Sequence, residues 1–210
     1  HRPGARRLDG GGGNDQLTGG RDGDILIGGA GIDTALYDDS LSGVTVSLTT
    51  RTGSGGSADG DQLDGIENLV GSDQNDTLTG DVEDIRLEGG DGDDTLAGME
   101  GADALIGGEG TDRADYSASD QAISVNLPTD ITTGGHADGD TFDSIEIFAG
   151  TDFVDTMVGD GAVNIFEGGD LGDTLSGLGG ADQLFGQDGD DILIGGALGD
   201  LLQGGAGSDT

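Results

Sequence analysis

The sequence predicts an all-β fold in which short parallel strands stack as a β-helix or solenoid, interrupted by two short β-rich inserts. Three observations point to this fold. A nine-residue pattern, G-G-x-G-x-D-x-U-x with U a large apolar residue, recurs in three blocks. Glycine supplies 47 of the 210 residues, which suits a chain made of tight turns. Only 32% of the residues are hydrophobic, so a conventional globular core is not expected.

The repeat pattern divides the chain into six segments. The basic start HRPGARR precedes the first repeat and is expected to be a linker or cloning remnant. The segments are residues 1–9 (linker), 10–36 (repeat block 1), 37–70 (insert 1), 71–115 (block 2), 116–149 (insert 2) and 150–210 (block 3, with a truncated last repeat). Residues 28–106 align without a gap on residues 107–185, which indicates an internal duplication.

Each repeat has two physical halves. The first six residues need turns with positive φ, which glycine adopts at low cost. The last three, x-U-x, form a short strand with one inward side chain. The predicted inward residues are Leu17, Leu26, Leu78, Leu87, Leu96, Leu105, Met157, Phe166, Leu175, Leu184, Leu193 and Leu202. Ala35 and Ala114 are small and directly precede an insert, so we expect the coil to narrow or turn aside there.

The two inserts carry strand and turn signals of their own. Residues 44–48 (VTVSL) and 123–127 (ISVNL) alternate apolar with polar side chains, which predicts half-exposed strands. Each insert then has a DGD turn, at residues 59–61 and 138–140. These turns lack the spacing of an EF-hand loop. Whether they bind calcium or are plain solvated turns is left open.

The charge of the chain restricts its partners. Asp and Glu supply 43 residues against 7 Lys and Arg, a formal net charge of -36. Nucleic acid and anionic membrane surfaces are disfavoured because both need a basic patch, and no apolar run is long enough to span a membrane. Cations are the natural counterpart. Without them, low hydrophobicity and high net charge predict a disordered chain.

Aspartate recurs at the sixth position of the repeat. One such residue is usually a turn former, but turn chemistry does not require the recurrence. Stacked coils about 4.8 Å apart would place these carboxylates in rows, and like charges disfavour folding unless a cation lies between them. Carboxylates and turn carbonyls suit Ca²⁺, whereas zinc is disfavoured in a chain with two His and no Cys. The predicted ligands are Asp15, Asp24, Asp33, Asp76, Asp94, Asp103, Asp112, Asp155, Asp173, Asp182, Asp191, Asp200 and Asp209.

With these residues the chain resembles the RTX (repeats-in-toxin) family, calcium-binding proteins exported by bacterial type I secretion. The resemblance covers nearly the whole chain after residue 9. It implies a parallel β-roll with two repeats per coil and several calcium ions, each bound between one turn and the turn two repeats later. The implied pairs are Asp15 with Asp33, Asp76 with Asp94, Asp94 with Asp112, Asp155 with Asp173, Asp173 with Asp191, Asp182 with Asp200 and Asp191 with Asp209. Ile85 and Asn164 replace the aspartate in their repeats, which weakens the expectation of sites shared with Asp103 and Asp182.

The sequence predicts a binding and scaffold module and not an enzyme. It has no HExxH, no GxSxG and no Cys nucleophile, and its histidines are His1 and His136. The resemblance implies a secreted, extracellular module that folds on calcium after export as part of a larger protein such as a toxin. The alternatives are a carbohydrate- or surface-binding adhesin module, or the C-terminal repeats of a secreted protease, lipase or alginate epimerase. The oligomeric state is left open, with a monomer as the default expectation.

Overall fold

A computed structural model describes residues 4–210. The fold is all-β with parallel strands stacked as a β-roll, so the predicted fold class is confirmed. The first strands are β1 (Arg7–Gly12), β2 (Gln16–Leu17), β3 (Ile25–Ala30), β4 (Thr34–Leu36), β5 (Thr45–Ser47), β6 (Thr52–Ser54), β7 (Gln62–Asp64), β8 (Asn68–Val70), β9 (Thr77–Asp81), β10 (Arg86–Asp91), β11 (Thr95–Met99) and β12 (Ala104–Glu109).

The remaining strands are β13 (Arg113–Asp115), β14 (Ser124–Asn126), β15 (Ile131–Thr133), β16 (Thr141–Asp143), β17 (Ile147–Ala149), β18 (Thr156–Val158), β19 (Ile165–Asp170), β20 (Thr174–Ser176), β21 (Gln183–Asp188), β22 (Ile192–Ile194) and β23 (Leu201–Ala206). Short 3₁₀ helices cover Gly56–Ala58, Leu127–Thr129 and Gly135–Ala137. Within residues 4–210, no helix has the length and apolar character needed to cross a membrane.

Strands two repeats apart pair in parallel. Leu8 of β1 lies opposite Leu26 of β3, and the same register joins β10 with β12 and β20 with β22. Side-chain hydrogen bonds between the turns span the same separation of 18 residues. Two nine-residue repeats therefore complete one coil.

The chain forms two compact units. The first comprises the described residues up to Gly98, together with Asp103–Asp112 and Phe142–Ser144. One of its sheets has the strand order β1-β3-β7-β6-β5-β9-β11, and the other has the order β12-β10-β8-β4-β2. The middle residues of the strands, such as Leu26 and Leu87, are fully buried. The core of this unit thus consists of about one apolar side chain per strand.

The second unit comprises Met99–Ala102, Arg113–Thr141 and Ile145–Thr210. Its sheets have the orders β13-β17-β19-β21-β23 and β15-β14-β18-β20-β22. The rings of Phe148 and Phe166 pack edge to face in its core, with centroids 5.7 Å apart. Two predicted inward residues are not buried: Leu193 is half-buried and Leu202 is 45% exposed. Both lie on β22 and β23, which end their sheets and have a paired strand on one side only within the described residues.

Insert 1 continues the stack instead of leaving it. Val46 of β5 lies opposite Leu78 of β9 in parallel register and opposite Gly53 of β6 in an antiparallel hairpin. Further along the insert, β7 and β8 pair in parallel with β3 and β4 of the preceding repeats. The predicted alternation holds, since Val44, Val46 and Leu48 are buried whereas Thr45 is exposed.

In both inserts the strand is shorter than the alternating run, and β14 of insert 2 covers three residues as β5 does. Val125 of β14 pairs in parallel with Met157 and antiparallel with Thr132. The strand stops at Asn126, and Leu127 begins a 3₁₀ helix. Pro128 lies in the first turn of this helix, where the lack of a backbone N–H is tolerated.

The predicted linker at residues 1–9 is shorter than expected. Arg7 already begins β1, and the backbone N–H of Arg6 donates to Asp24 Oδ1 at 2.6 Å. The segment Arg7-Leu8-Asp9 has the x-U-x pattern of the strand half, which explains why it pairs with β3. Residues 1–3 lie outside the described part of the chain.

Candidate metal centre

The glycines of each turn have two distinct roles. The second and fourth glycines adopt positive φ, as in Gly29 (111°) and Gly31 (148°), where side-chain-bearing residues are strained. The first glycine instead leaves room for oxygens: a Cβ on Gly10 would lie 2.8 Å from Asp15 Oδ2 and 2.8 Å from the Gly28 carbonyl oxygen. We call such a pair of oxygens beside a first-position glycine a cradle.

The predicted ligand aspartates differ in burial. Asp15 and Asp200 are half-buried, and Asp209 near the chain end is exposed. The fully buried ones are Asp24, Asp33, Asp76, Asp94, Asp103, Asp112, Asp155, Asp173, Asp182 and Asp191. Acidic side chains are seldom fully buried unless something compensates their charge.

Each aspartate pair implied by the resemblance is joined in the structure. The backbone N–H of the earlier aspartate donates to Oδ1 of the later one, at distances from 2.7 to 3.1 Å. We call such a series of linked carboxylates a carboxylate ladder. Since a main-chain donor holds one oxygen of each carboxylate, the ladder fixes the direction in which the other oxygen points.

The second carboxylate oxygen is the unusual feature of these ladders. It is buried and has no hydrogen-bond partner in Asp15, Asp24, Asp33, Asp94, Asp173, Asp182 and Asp191. A buried polar oxygen without a partner costs free energy, and more so when it carries charge. These oxygens are the observation that best fits a bound cation.

Two ladder carboxyls, those of Asp94 and Asp173, have raised pKa values because they are buried beside other carboxylates. Desolvation by burial raises the pKa of Asp94 to about 7, and the neighbouring charges of Asp76 and Asp112 add to this effect. Burial likewise raises the pKa of Asp173 to about 7, with the charges of its ladder neighbours contributing. A positive ion beside these groups would favour their ionised form.

Two ladder aspartates have protein donors on both oxygens. Asp76 Oδ2 accepts the backbone N–H of Ser72, and the Ser72 hydroxyl donates to Oδ1 at 3.0 Å. Asp155 receives the same two bonds from Thr151, at 2.6 and 3.1 Å. Ser72 and Thr151 occupy the second repeat position, where most repeats have glycine. The prediction that Asp76 and Asp155 are ligands remains a prediction.

The two repeats without a sixth-position aspartate place a different group beside their first glycine. A Cβ on Gly80 would collide with the Cδ1 methyl of Ile85, so an apolar group stands where Oδ2 stands elsewhere. In the other repeat the Asn164 amide oxygen takes that place and accepts the N–H of Asp160 at 2.9 Å. Neither repeat provides an anionic oxygen at this point.

The donor set fits a hard cation bound largely by main-chain oxygens. Across residues 4–210, no three Asp, Glu, His or Cys side chains converge as a conventional metal cluster. A cation between two coils therefore has at most the paired carboxylates plus turn carbonyls, such as that of Gly28 in the Gly10 cradle. An all-oxygen set of this kind, with flexible geometry, suits Ca²⁺.

The DGD turns of the inserts each have one buried and one exposed acid. Asp61 is buried, accepts the N–H of Asp24 at 2.7 Å and accepts the Tyr37 hydroxyl at 3.2 Å. In insert 2, the Tyr116 hydroxyl donates to buried Asp140 at 2.7 Å. Asp59 and Asp138 are exposed. Desolvation raises the pKa of Asp61 to about 6.

Sequence reasoning missed that insert 1 extends both ladders of block 1. Asp61 continues the one that contains Asp24, and Glu67 Oε2 accepts the N–H of Asp33 at 2.7 Å. A signal was present, because Asp61-Gln62-Leu63 and Glu67-Asn68-Leu69 repeat an acid-x-apolar pattern. It was obscured because the two acids are six residues apart instead of nine.

This geometry defines a class of proteins, the β-rolls whose turns hold cations between stacked carboxylates. The chain matches the family described as RTX calcium-binding nonapeptide repeat (4 copies) over residues 7–35, 61–82, 86–114, 167–202 and 194–210. These segments make up more than half of the chain, so the chain belongs to this family and is a module of calcium-binding repeats. No curated protein matches the chain.

Proposed function

We propose that this protein is a calcium-dependent folding module: unfolded where calcium is scarce, and folded into a β-roll where calcium is abundant. Its function is structural and not catalytic, and it supports a larger extracellular protein exported by type I secretion. The family's calcium-binding role and the formal net charge of -36 support this proposal.

The observation that carries the proposal is the row of buried carboxylates with an unpartnered Oδ2. Without a cation, folding places these like charges next to each other in a desolvated environment, which disfavours the folded state. With a cation between the coils, the same oxygens become ligands, and the free energy of binding becomes free energy of folding. The chain has no disulfide that could replace this contribution.

The test is a calcium titration of chelator-treated chain followed by far-ultraviolet circular dichroism. The spectrum should change from coil to β at roughly 0.1 to 1 mM Ca²⁺, the range of extracellular calcium modules. Mg²⁺ at the same concentration should do much less, because it retains its octahedral water shell. An unchanged spectrum up to about 10 mM Ca²⁺, well above that range, would contradict the proposal.

A further inference from the structure

The Gly28 cradle is completed from outside the repeats. A Cβ on Gly28 would lie 2.5 Å from Asp33 Oδ2 and closer still to the carbonyl oxygen of Gly65. In the regular Gly10 cradle, the corresponding carbonyl belongs to the first glycine of a repeat, Gly28. Gly65 lies in insert 1 and outside the nine-residue register, yet its carbonyl occupies the same place.

The acid at this position is also supplied by the insert. Glu67 Oε2 accepts the N–H of Asp33 at 2.7 Å, as Asp33 Oδ1 accepts the N–H of Asp15 one coil earlier at the same distance. β8, which starts at Asn68, pairs in parallel with β4. Glu67 therefore stands in the ladder where a sixth-position aspartate would stand in the next coil.

An independent observation indicates that this arrangement has a ligand. Asp33 is fully buried, and its Oδ2, which faces the cradle, has no hydrogen-bond partner. Gly65 and Glu67 line a surface groove together with Asp81 and Glu83, which gives a cation an acidic approach from solvent. Arg51 also lines this groove, but its guanidinium is paired with Asp64 at 3.3 Å.

We propose that Asp33, the Gly65 carbonyl and Glu67 form a calcium site that joins repeat block 1 to insert 1. The insert is thereby part of the calcium-dependent fold and not a passive interruption of it. This site rests on the proposed calcium-dependent folding, and it adds a glutamate and a main-chain oxygen that the repeat pattern does not contain.

The test counts the calcium ions bound per chain, by equilibrium dialysis with metal analysis, in wild type and in Glu67→Gln. The glutamine can still accept the N–H of Asp33, so the fold should persist, as circular dichroism at saturating calcium would show. We expect Glu67→Gln to bind one calcium ion fewer, or to bind one ion at least about tenfold more weakly. Losses of this size are common when a group at a metal site is replaced. Glu83→Gln removes the same charge from the same groove and should leave the count unchanged.

A double-mutant cycle provides a second test if the number of bound calcium ions differs little between Glu67→Gln and wild type. Asp33→Asn should weaken both this site and the site shared with Asp15, so adding Glu67→Gln to Asp33→Asn should cause no further loss of bound calcium. Equal counts together with equal affinities for Glu67→Gln and wild type, an equal loss in Glu83→Gln, or additive losses in the double variant would each overturn the site. A wild-type chain that binds no calcium would instead contradict the proposed function itself.

Discussion

Asp94 and Asp76 are adjacent members of one carboxylate ladder, yet their surroundings are opposite. Asp94 has a buried Oδ2 without a partner, whereas both oxygens of Asp76 receive donors from Ser72. The same contrast separates Asp173 from Asp155, which is bonded to Thr151. In both satisfied turns a Ser or Thr stands at the second position of the repeat, donating through its main-chain N–H to Oδ2 and through its hydroxyl to Oδ1.

The repeat pattern alone therefore does not show which aspartates have an unpartnered oxygen and which have donors on both oxygens. Asp76 and Asp155 each belong to the first repeat after an insert, where the preceding coil is not a regular repeat. There Asp76 Oδ1 accepts the N–H of Val44, and Asp155 Oδ1 accepts that of Ile123, both residues of the inserts.

The largest expected effect is that of Asp94→Asn on calcium affinity. The asparagine retains an oxygen for the N–H of Asp76 but removes the charge from two neighbouring sites. We expect the calcium midpoint to rise about tenfold, equivalent to roughly 1.4 kcal/mol, with lower cooperativity. Asp76→Asn should shift the midpoint much less. Calorimetric titration measures both variants.

Asp93→Asn is the matched control for net charge. Asp93 is exposed, and its Oδ1 accepts the N–H of Thr111 at 3.0 Å, a bond that asparagine can keep. The variant should leave the calcium midpoint nearly unchanged or lower it slightly, because it relieves repulsion. If Asp93→Asn and Asp94→Asn had equal effects, net charge and not position in the ladder would govern the response.

An intermediate effect is expected from pH in the absence of calcium. The pKa of Asp94 and of Asp173 is about 7 in the folded chain, above the ordinary value of 3.8, so the folded state binds protons more tightly than the unfolded state. The contribution of these two carboxyls to the stability of the folded state is therefore greatest below about pH 4 and falls as pH rises towards 7. Metal-free chain should gain β signal on acidification from pH 7.5 to about 4.5.

The double variant Asp94→Asn/Asp173→Asn should weaken this pH dependence, because it removes two of the groups that take up protons. The comparison needs circular dichroism at several pH values in calcium-free buffer. Loss of β signal on acidification over the same range would contradict the assignment of raised pKa values to the ladders.

The smallest effect is expected at the hydroxyl that satisfies Asp76. Ser72→Gly removes the bond from Oγ to Asp76 Oδ1 and should lower the free energy of unfolding by about 1 kcal/mol, measured by urea denaturation at saturating calcium. Ser72→Thr should be nearly neutral, because Thr151 makes the same bonds at the equivalent turn. Equal losses in the two variants would show that the hydroxyl does not matter.

The repeat pattern was sufficient to predict the class of fold, whereas the pairing of its aspartates followed from the resemblance to the RTX family. Nine-residue spacing sets which residues lie in turns and which apolar residues, such as Leu26 and Leu87, point inward. The resemblance, with two repeats per coil, implied that Asp15 meets Asp33 and that Asp155 meets Asp173, and the structure joins both pairs by hydrogen bonds. These features depend on the repeat period, which can be read directly from the sequence.

Only the tertiary structure decided which carboxylates have donors and which lack them. Glu67 meets Asp33, and Tyr37 meets Asp61, through pairings that span 34 and 24 residues and follow no period. The exposure of Leu202 likewise depends on its edge strand and not on its place in the motif. Whether a buried oxygen has a hydrogen-bond partner depends on which donors lie near it in the folded chain. Because the inserts have irregular lengths, the repeat pattern does not show which residues supply those donors.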